Sequence, residues 1–73
     1  MIPVETLEEY RNTFKCGTRI RLNEMSGEPQ MPGGLLGTVS YVDDAGQIHV
    51  DWENGSTLAL IVHADRFEIV ETD

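Results

Sequence analysis

Two histidine–aspartate pairs are the residues of this chain whose types and spacing suggest chemistry. His49 and Asp51 stand two positions apart in an alternating polar and apolar stretch, and His63 and Asp65 repeat that spacing in a turn-like segment. Either pair could ligate a metal ion or form half of an acid–base couple. Neither has the cysteine or close-set third ligand that a zinc site usually shows. We therefore expect a polar strand face and an aspartate-anchored turn, with no metal and no cofactor.

Motifs for covalent catalysis or phosphate binding do not occur in the sequence. No serine or cysteine nucleophile motif is present, and the glycine-rich run at residues 33–37 lacks the Gly-Lys-Ser/Thr ending and following helix of a phosphate loop. A chain of 73 residues also has only a small core with which to preorganise a site. We expect a protein that is not an enzyme.

Apolar and aromatic side chains are the other candidates for function. Trp52, the only tryptophan, precedes an Asn-Gly turn signal, and its ring is expected either to cap the core or to anchor a partner. A loop rich in proline and glycine at residues 26–34 has methionines at or near its edges, which suit adaptable apolar contacts. The candidate binding residues are Met25, Met31, Pro32, Tyr41 and Trp52.

The charge balance limits the classes of partner. Thirteen acidic and five basic residues give a net charge of -8, which repels nucleic-acid backbones and anionic membrane surfaces. The same charge is compatible with a partner that has a basic groove. Arg19 and Arg21 share one face of a predicted strand, where they either contact a nucleic acid or, as we expect, pair with carboxylates such as Asp51, Glu53 or Glu68.

Cysteine usage and hydropathy predict the compartment. Cys16 is the only cysteine, so no internal disulfide forms, as in a reducing compartment. The longest apolar run, Leu58 to Val62, is far below the ~20 residues of a membrane-spanning helix. The first ten residues lack the apolar region of a secretion signal. We expect a cytoplasmic protein.

The elements that must position these residues begin with one helix. Apolar residues recur at spacings of three and four from Val4 to Phe14, and Pro3 suits a first helical position. A helix this short is marginal alone, so its stripe is expected to dock on the rest of the domain or on a second copy in a homodimer. This candidate interface consists of Val4, Leu7, Tyr10 and Phe14.

After Gly17 the apolar period changes from helical to two, which is the period of a β-strand. Turn signals at residues 43–46 and 53–55 separate short strands. Five such strands are best closed into a small barrel, and their connections follow the order of Src-homology-3-like (SH3-like) barrels. We predict a mainly β protein with an amphipathic helix at residues 1–16 and a five-stranded SH3-like barrel at residues 17–73. The predicted strands span residues 18–25, 36–42, 47–52, 56–62 and 66–70.

Residues 17–70 resemble a bacterial family, the domain of unknown function 4314. The resemblance rests on the motifs G-T-V-x-x-V-D-D-x-G-Q-I-H-V-x-W-x-N-G, L-x-L-I and D-R-F-E. It implies a small barrel fold and an origin in bacterial, phage or mobile-element genomes, and it implies no activity. The helix lies outside these motifs.

Three functional hypotheses follow. The first is a non-enzymatic module that binds a protein partner. The second is an acidic inhibitor of a host defence nuclease, of the anti-CRISPR or nucleic-acid-mimic type, which occupies a basic groove. The third is a small barrel that binds nucleic acid directly, which the net charge disfavours.

Overall fold

The computed structural model describes residues 2–25, 27–28 and 31–70. The predicted acidic tail at residues 71–73 and three positions of the predicted loop, Ser26, Pro29 and Gln30, lie outside the described residues. The chain forms one helix and four strands, in the order α1 (Val4–Thr13), β1 (Arg19–Glu24), β2 (Leu36–Val42), β3 (Ile48–Trp52) and β4 (Arg66–Val70). These elements confirm the mainly β class with an N-terminal helix.

The four strands make a single antiparallel sheet in the order β3-β2-β1-β4. Alternation along the strands separates its two faces, because successive side chains of a strand point in opposite directions. In β3, for example, Ile48, Val50 and Trp52 are buried while Asp51 is exposed. The inner face and its neighbouring loops form one core of Ile20, Leu22, Met25, Met31, Val39, Val42, Ile48, Val50, Trp52 and Leu60.

The prediction of a closed five-stranded barrel is wrong. Residues 56–62, predicted as the fourth of five strands, contribute only an isolated bridge between Ile48 and Leu60. Among the described residues the sheet is open, and β3 and β4 are its two edge strands.

Local hydrogen bonds explain why residues 56–62 do not form a strand. The Asn54 side chain accepts the Ser56 N–H, and the Ser56 hydroxyl accepts the Leu58 N–H. The Leu58 carbonyl accepts the Trp52 indole N–H at 2.9 Å. Side-chain partners of this kind compete with a strand ladder for the same backbone groups. The Asn-Gly turn therefore forms as predicted, but the segment after it bonds to side chains in place of a regular strand ladder.

Helix α1 docks on its own sheet. Its first hydrogen bond runs from the Leu7 N–H to the carbonyl of Pro3, which is the N-cap and not the first helical residue. Three of the four stripe residues, Leu7, Tyr10 and Phe14, pack against the core. Val4 does not, and it remains 66% exposed. Among the described residues, no helix is long and apolar enough to cross a membrane.

Arg11 ties the helix to the turn between β2 and β3. Its guanidinium donates to the Val42 carbonyl and lies 2.8 Å from an Asp44 carboxylate oxygen. In the same turn Gly46 adopts a positive φ, and a Cβ there would come 2.6 Å from the Ile2 side chain. The helix therefore braces this hairpin turn and positions the surface beside it.

Candidate functional site

Three of the five predicted binding residues lie in the core. Trp52 is only 4% exposed, and its indole N–H is bonded to a backbone carbonyl and does not face water. Met25 and Met31 are also buried. The Met31 sulfur lies 3.8 Å from the Asn54 amide nitrogen, which joins the long loop to the hairpin turn. Of the two roles considered for the Trp52 ring, the structure shows the core-capping one.

The other two predicted binding residues lie on the surface. Pro32 is exposed in the long loop, and Tyr41 in β2 is 56% exposed. A bulge between Val39 and Tyr41 explains this position, because it shifts the register of β2 against β3 by one residue. Val39 points into the core, and Tyr41 lies opposite His49. The bulge thus places an aromatic ring on the outer face.

The Tyr41 ring stacks on the imidazole of His49. Their ring centroids are 4.3 Å apart and their planes differ by 6°. On the other side, His49 Nε2 lies 2.9 Å from a carboxylate oxygen of Asp43. His49 therefore holds the exposed tyrosine in one orientation, and Asp43 holds His49.

Asp43 also organises the turn that follows β2. Its second carboxylate oxygen accepts the backbone N–H groups of Ala45 and Gln47, at 3.0 and 2.9 Å. The hydrogen bond from His49, helped by these two backbone bonds, lowers the pKa of Asp43 below its usual value, against the opposing effect of burial. The aspartate therefore stays ionised to a lower pH than a free side chain would.

A surface groove of about 300 Å³ adjoins Tyr41. Arg11 and residues 14–16 line one side of it, and residues 40–42 line the other. Lys15 supplies a cation, and among the described residues it forms no ion pair. We call Tyr41, His49, Asp43 and this groove the Tyr41 patch. It combines a fixed aromatic ring with a concave neighbour, which is an arrangement suited to receiving a side chain of a partner protein.

Two further grooves lie near the methionines of the long loop. One of about 390 Å³ is lined by Met25, Met31 and neighbouring loop residues, and one of about 280 Å³ lies between Met25 and residues 58–65. Ile61 borders the second groove and is 49% exposed. The buried methionines line the first groove, so the loop offers a second surface with apolar contacts.

The two strand arginines pair with carboxylates, as the sequence predicts. Arg19 lies 2.6 Å from Glu53 and Arg21 lies 2.9 Å from Glu68. Both pairs are on the outer face of the sheet, so neither guanidinium is free to contact a phosphate without breaking an ion pair. Arg66 forms no ion pair with Asp65, Glu68 or any other described residue.

The histidine–aspartate pairs do not come together as pairs. His49 turns to Asp43, while Asp51 accepts the Ser40 hydroxyl at 3.1 Å. Asp65 accepts the Ile61 N–H in a turn. In residues 2–25, 27–28 and 31–70, no group of three or more His, Cys, Asp and Glu side chains is arranged to hold a metal ion.

His49 and Asp43 were not predicted from the sequence as neighbours of Tyr41. The tight turn at residues 43–46 already implied that the ends of β2 and β3 lie opposite each other. The missing information was the bulge. In a regular ladder with a two-residue period, Tyr41 would share the inner face of Val39, and the bulge moves it to the outer face opposite His49.

Comparison with known proteins identifies the family of this chain, but no individual relative. The family model described as Domain of unknown function (DUF4314) matches residues 4–70. The match begins at residue 4, so it includes helix α1, which the sequence motifs left outside the resemblance. Neither the search of curated proteins nor that of solved structures returns a match.

Proposed function

The chain belongs to the DUF4314 family, and from its geometry we propose that it is a non-enzymatic protein-binding module whose contact surface is the Tyr41 patch. The proposed setting is the cytoplasm of a bacterium, or a phage or mobile element within it. The exposed free thiol of Cys16 is compatible with that reducing compartment.

The observation that supports this proposal is the exposed and oriented ring of Tyr41. Tyrosine is among the residues that most often dominate the binding energy of protein interfaces. Its entropy cost on binding is reduced here, because the stack on His49 already holds the ring. A cross-strand aromatic pair also stabilises the sheet by roughly 0.2–1 kcal/mol, so the test must separate binding from folding.

The contacts of the outer face weigh against the two alternatives. Direct nucleic-acid binding is favoured by clustered free cations, and the one strand face that clusters two arginines, Arg19 and Arg21, has both paired with carboxylates. A mimic of nucleic acid needs an array of unpaired negative charges, and the same ion pairs neutralise Glu53 and Glu68. The exposed helix carboxylates of Glu5, Glu8 and Glu9 are one surface that such a mimic could still use.

We further propose that the open sheet keeps the strand order of a small SH3-like barrel. Residues 56–62 follow β3 through a tight turn and touch it at Leu60, as the missing strand would. The chain then returns through residues 62–65 to pair β4 with β1. The Tyr41 patch lies at the end of β2, beside the helix that this family match includes.

The test is capture of partners from a lysate of the source organism, with Tyr41→Ala, Tyr41→Phe and Ile61→Ala beside the wild type. Ile61 is the matched control, because it is a similarly exposed apolar residue that borders a different groove. Circular dichroism and thermal melting first establish that every variant folds. Cys16 then reports on the site, because it lines the groove and is the only thiol in the chain.

We expect the wild type, Tyr41→Phe and Ile61→Ala to capture one protein in similar amounts. With Tyr41→Ala the captured amount should fall at least tenfold. The purified partner should slow alkylation of Cys16 by covering the groove. Capture that survives Tyr41→Ala, or that leaves Cys16 alkylation unchanged, contradicts the proposal. Capture that disappears at high salt favours the acidic inhibitor, and a salt-sensitive gel shift with DNA or RNA favours nucleic-acid binding.

A further inference from the structure

Among the described residues, strand β4 leaves one row of backbone groups without partners. The Thr18 carbonyl accepts the N–H of Val39 in β2, and Leu22 exchanges hydrogen bonds with residues 34 and 35, just before β2. The backbone groups of the alternate residues Arg19 and Arg21 therefore face β4. Their register partners there are Val70 and Glu68. The intervening residues of β4 therefore direct their N–H and C=O groups away from the sheet.

The residues with outward backbone groups are Phe67 and Ile69. Neither forms a backbone hydrogen bond with a turn or loop of the described chain. Both side chains point to the inner face, opposite Leu22 and Ile20, yet Ile69 is 45% exposed. The strand lacks several of the usual protections of an edge, since it contains no proline, no bulge within it and no inward-pointing charge. Its two charged residues, Arg66 and Glu68, lie on the outer face.

We propose that two copies of the chain associate by antiparallel pairing of β4 with β4, which joins their sheets into one continuous eight-stranded sheet. In this register Glu68 lies on the two-fold axis, and Phe67 of each copy lies opposite Ile69 of the other. Phe67 and Ile69 then exchange backbone hydrogen bonds in both directions. The second copy also covers the exposed Ile69 side chain.

In this register the arginines of both copies offset the one pair of like charges in β4. Two Glu68 side chains meet at the axis, and each is already paired with its own Arg21 at 2.9 Å. Arg66 has no ion-pair partner among the described residues, and it comes diagonal to Glu68 of the other copy, within reach of a long side chain. The two carboxylates at the axis are thus flanked by arginines from both copies.

A shift of the axis to Phe67 is less favourable. It would place Ile69 opposite Asp65, whose N–H already donates to the Ile61 carbonyl. That register loses backbone hydrogen bonds at both ends and leaves the Ile69 side chain beside a carboxylate. The unpaired backbone groups and the charge pattern of β4 therefore both favour a second copy of the chain as the partner of this edge, with Glu68 on the axis.

The test measures association and the location of protected amides together. Sedimentation equilibrium over a wide concentration range gives the dimer dissociation constant for the wild type, Arg66→Glu and Lys15→Glu. The last variant is the matched control, because it makes the same charge reversal at an exposed lysine that lies outside β4, in the groove beside Tyr41. Amide hydrogen exchange of the wild type, below and above the dissociation constant, is independent of any substitution.

We expect a dimer, with the dissociation constant raised about tenfold or more by Arg66→Glu and much less by Lys15→Glu. The amides of Phe67 and Ile69 should become protected as the dimer forms, while those of Glu68 and Val70 are protected in both states. A chain that stays monomeric at all concentrations overturns the proposal. A dimer in which the Phe67 and Ile69 amides still exchange freely overturns it as well, and points to the helix or another face.

Discussion

At the scale of single residues, Asp43 joins the turn after β2 to the exposed aromatic stack. One carboxylate oxygen accepts two backbone N–H groups of the turn, and the other pairs with His49. Tyr41 is in turn oriented by His49. The order of the Tyr41 patch therefore depends on one ionised carboxylate.

This dependence predicts a specific acid sensitivity. The pKa of Asp43 is lower in the folded protein than the value of about 3.9 expected in the unfolded chain. Its contribution to stability is thus complete above that unfolded value and is lost as the pH falls through the lower folded value. Asp43→Asn should cost about 0.5–1 kcal/mol at neutral pH, and the free energy of unfolding should then fall less steeply than in the wild type below about pH 4.

The measurement is urea unfolding of both proteins between neutral pH and about pH 3, with Asp44→Asn as the control. Asp44 is the adjacent aspartate, and its replacement changes the net charge equally while sparing the turn hydrogen bonds. Parallel stability curves for the wild type and Asp43→Asn would show that this carboxylate has no special role.

At the scale of elements, the contact between β2 and β3 depends on a glycine. Gly37 lies opposite Trp52 in the ladder and is buried. A Cβ at this position would approach Val50 Cγ1 to 2.5 Å and Trp52 Cε3 to 2.7 Å. The absent side chain is what lets the indole ring of Trp52 pack against β2.

We therefore expect Gly37→Ala to destabilise the protein by overpacking, by about 1–3 kcal/mol. Thermal melting should show a midpoint lowered by roughly 5–20 °C for a domain of this size. The double variant with Val50→Ala removes one of the two clashing groups, so its loss should be smaller than the sum of the two single losses. Strict additivity, or a Gly37→Ala variant as stable as the wild type, would contradict this packing.

At the scale of the whole molecule, uncompensated negative charge opposes the compact state. The net charge of -8 is confined within a radius of gyration of 11.6 Å. At about 0.01 M salt the screening length is roughly 30 Å, so all of these charges repel one another, whereas at about 0.15 M it is roughly 8 Å. Ion pairs such as Arg19–Glu53 act in the opposite direction, but they are few and mostly exposed.

Added sodium chloride should therefore raise the thermal midpoint by a few degrees between these two ionic strengths. The double variant Glu8→Gln, Glu9→Gln removes two exposed helix charges, so its midpoint should rise less with salt. Melting curves at a chain concentration well below any dimerisation separate this effect from association. A midpoint that falls with salt would mean that the ion pairs outweigh the general repulsion.

Local patterning predicted a large part of this architecture. The periods of apolar residues located α1 and the four observed strands to within a few residues, and the turn residues located both hairpin turns. These features follow from side-chain spacing and backbone preference, which act over a few neighbouring residues. The family resemblance, too, rests on such local motifs.

Long-range packing decided the rest. The apolar alternation at residues 56–62 is compatible with a strand as well as with a loop. The hydrogen bonds among Trp52, Asn54, Ser56 and Leu58 decide for the loop. A bulge likewise moved Tyr41 to the outer face, whereas Trp52, Met25 and Met31 entered the core. Residue type predicts how favourable the burial of a side chain is. The tertiary structure determines which apolar side chains the small core can accommodate.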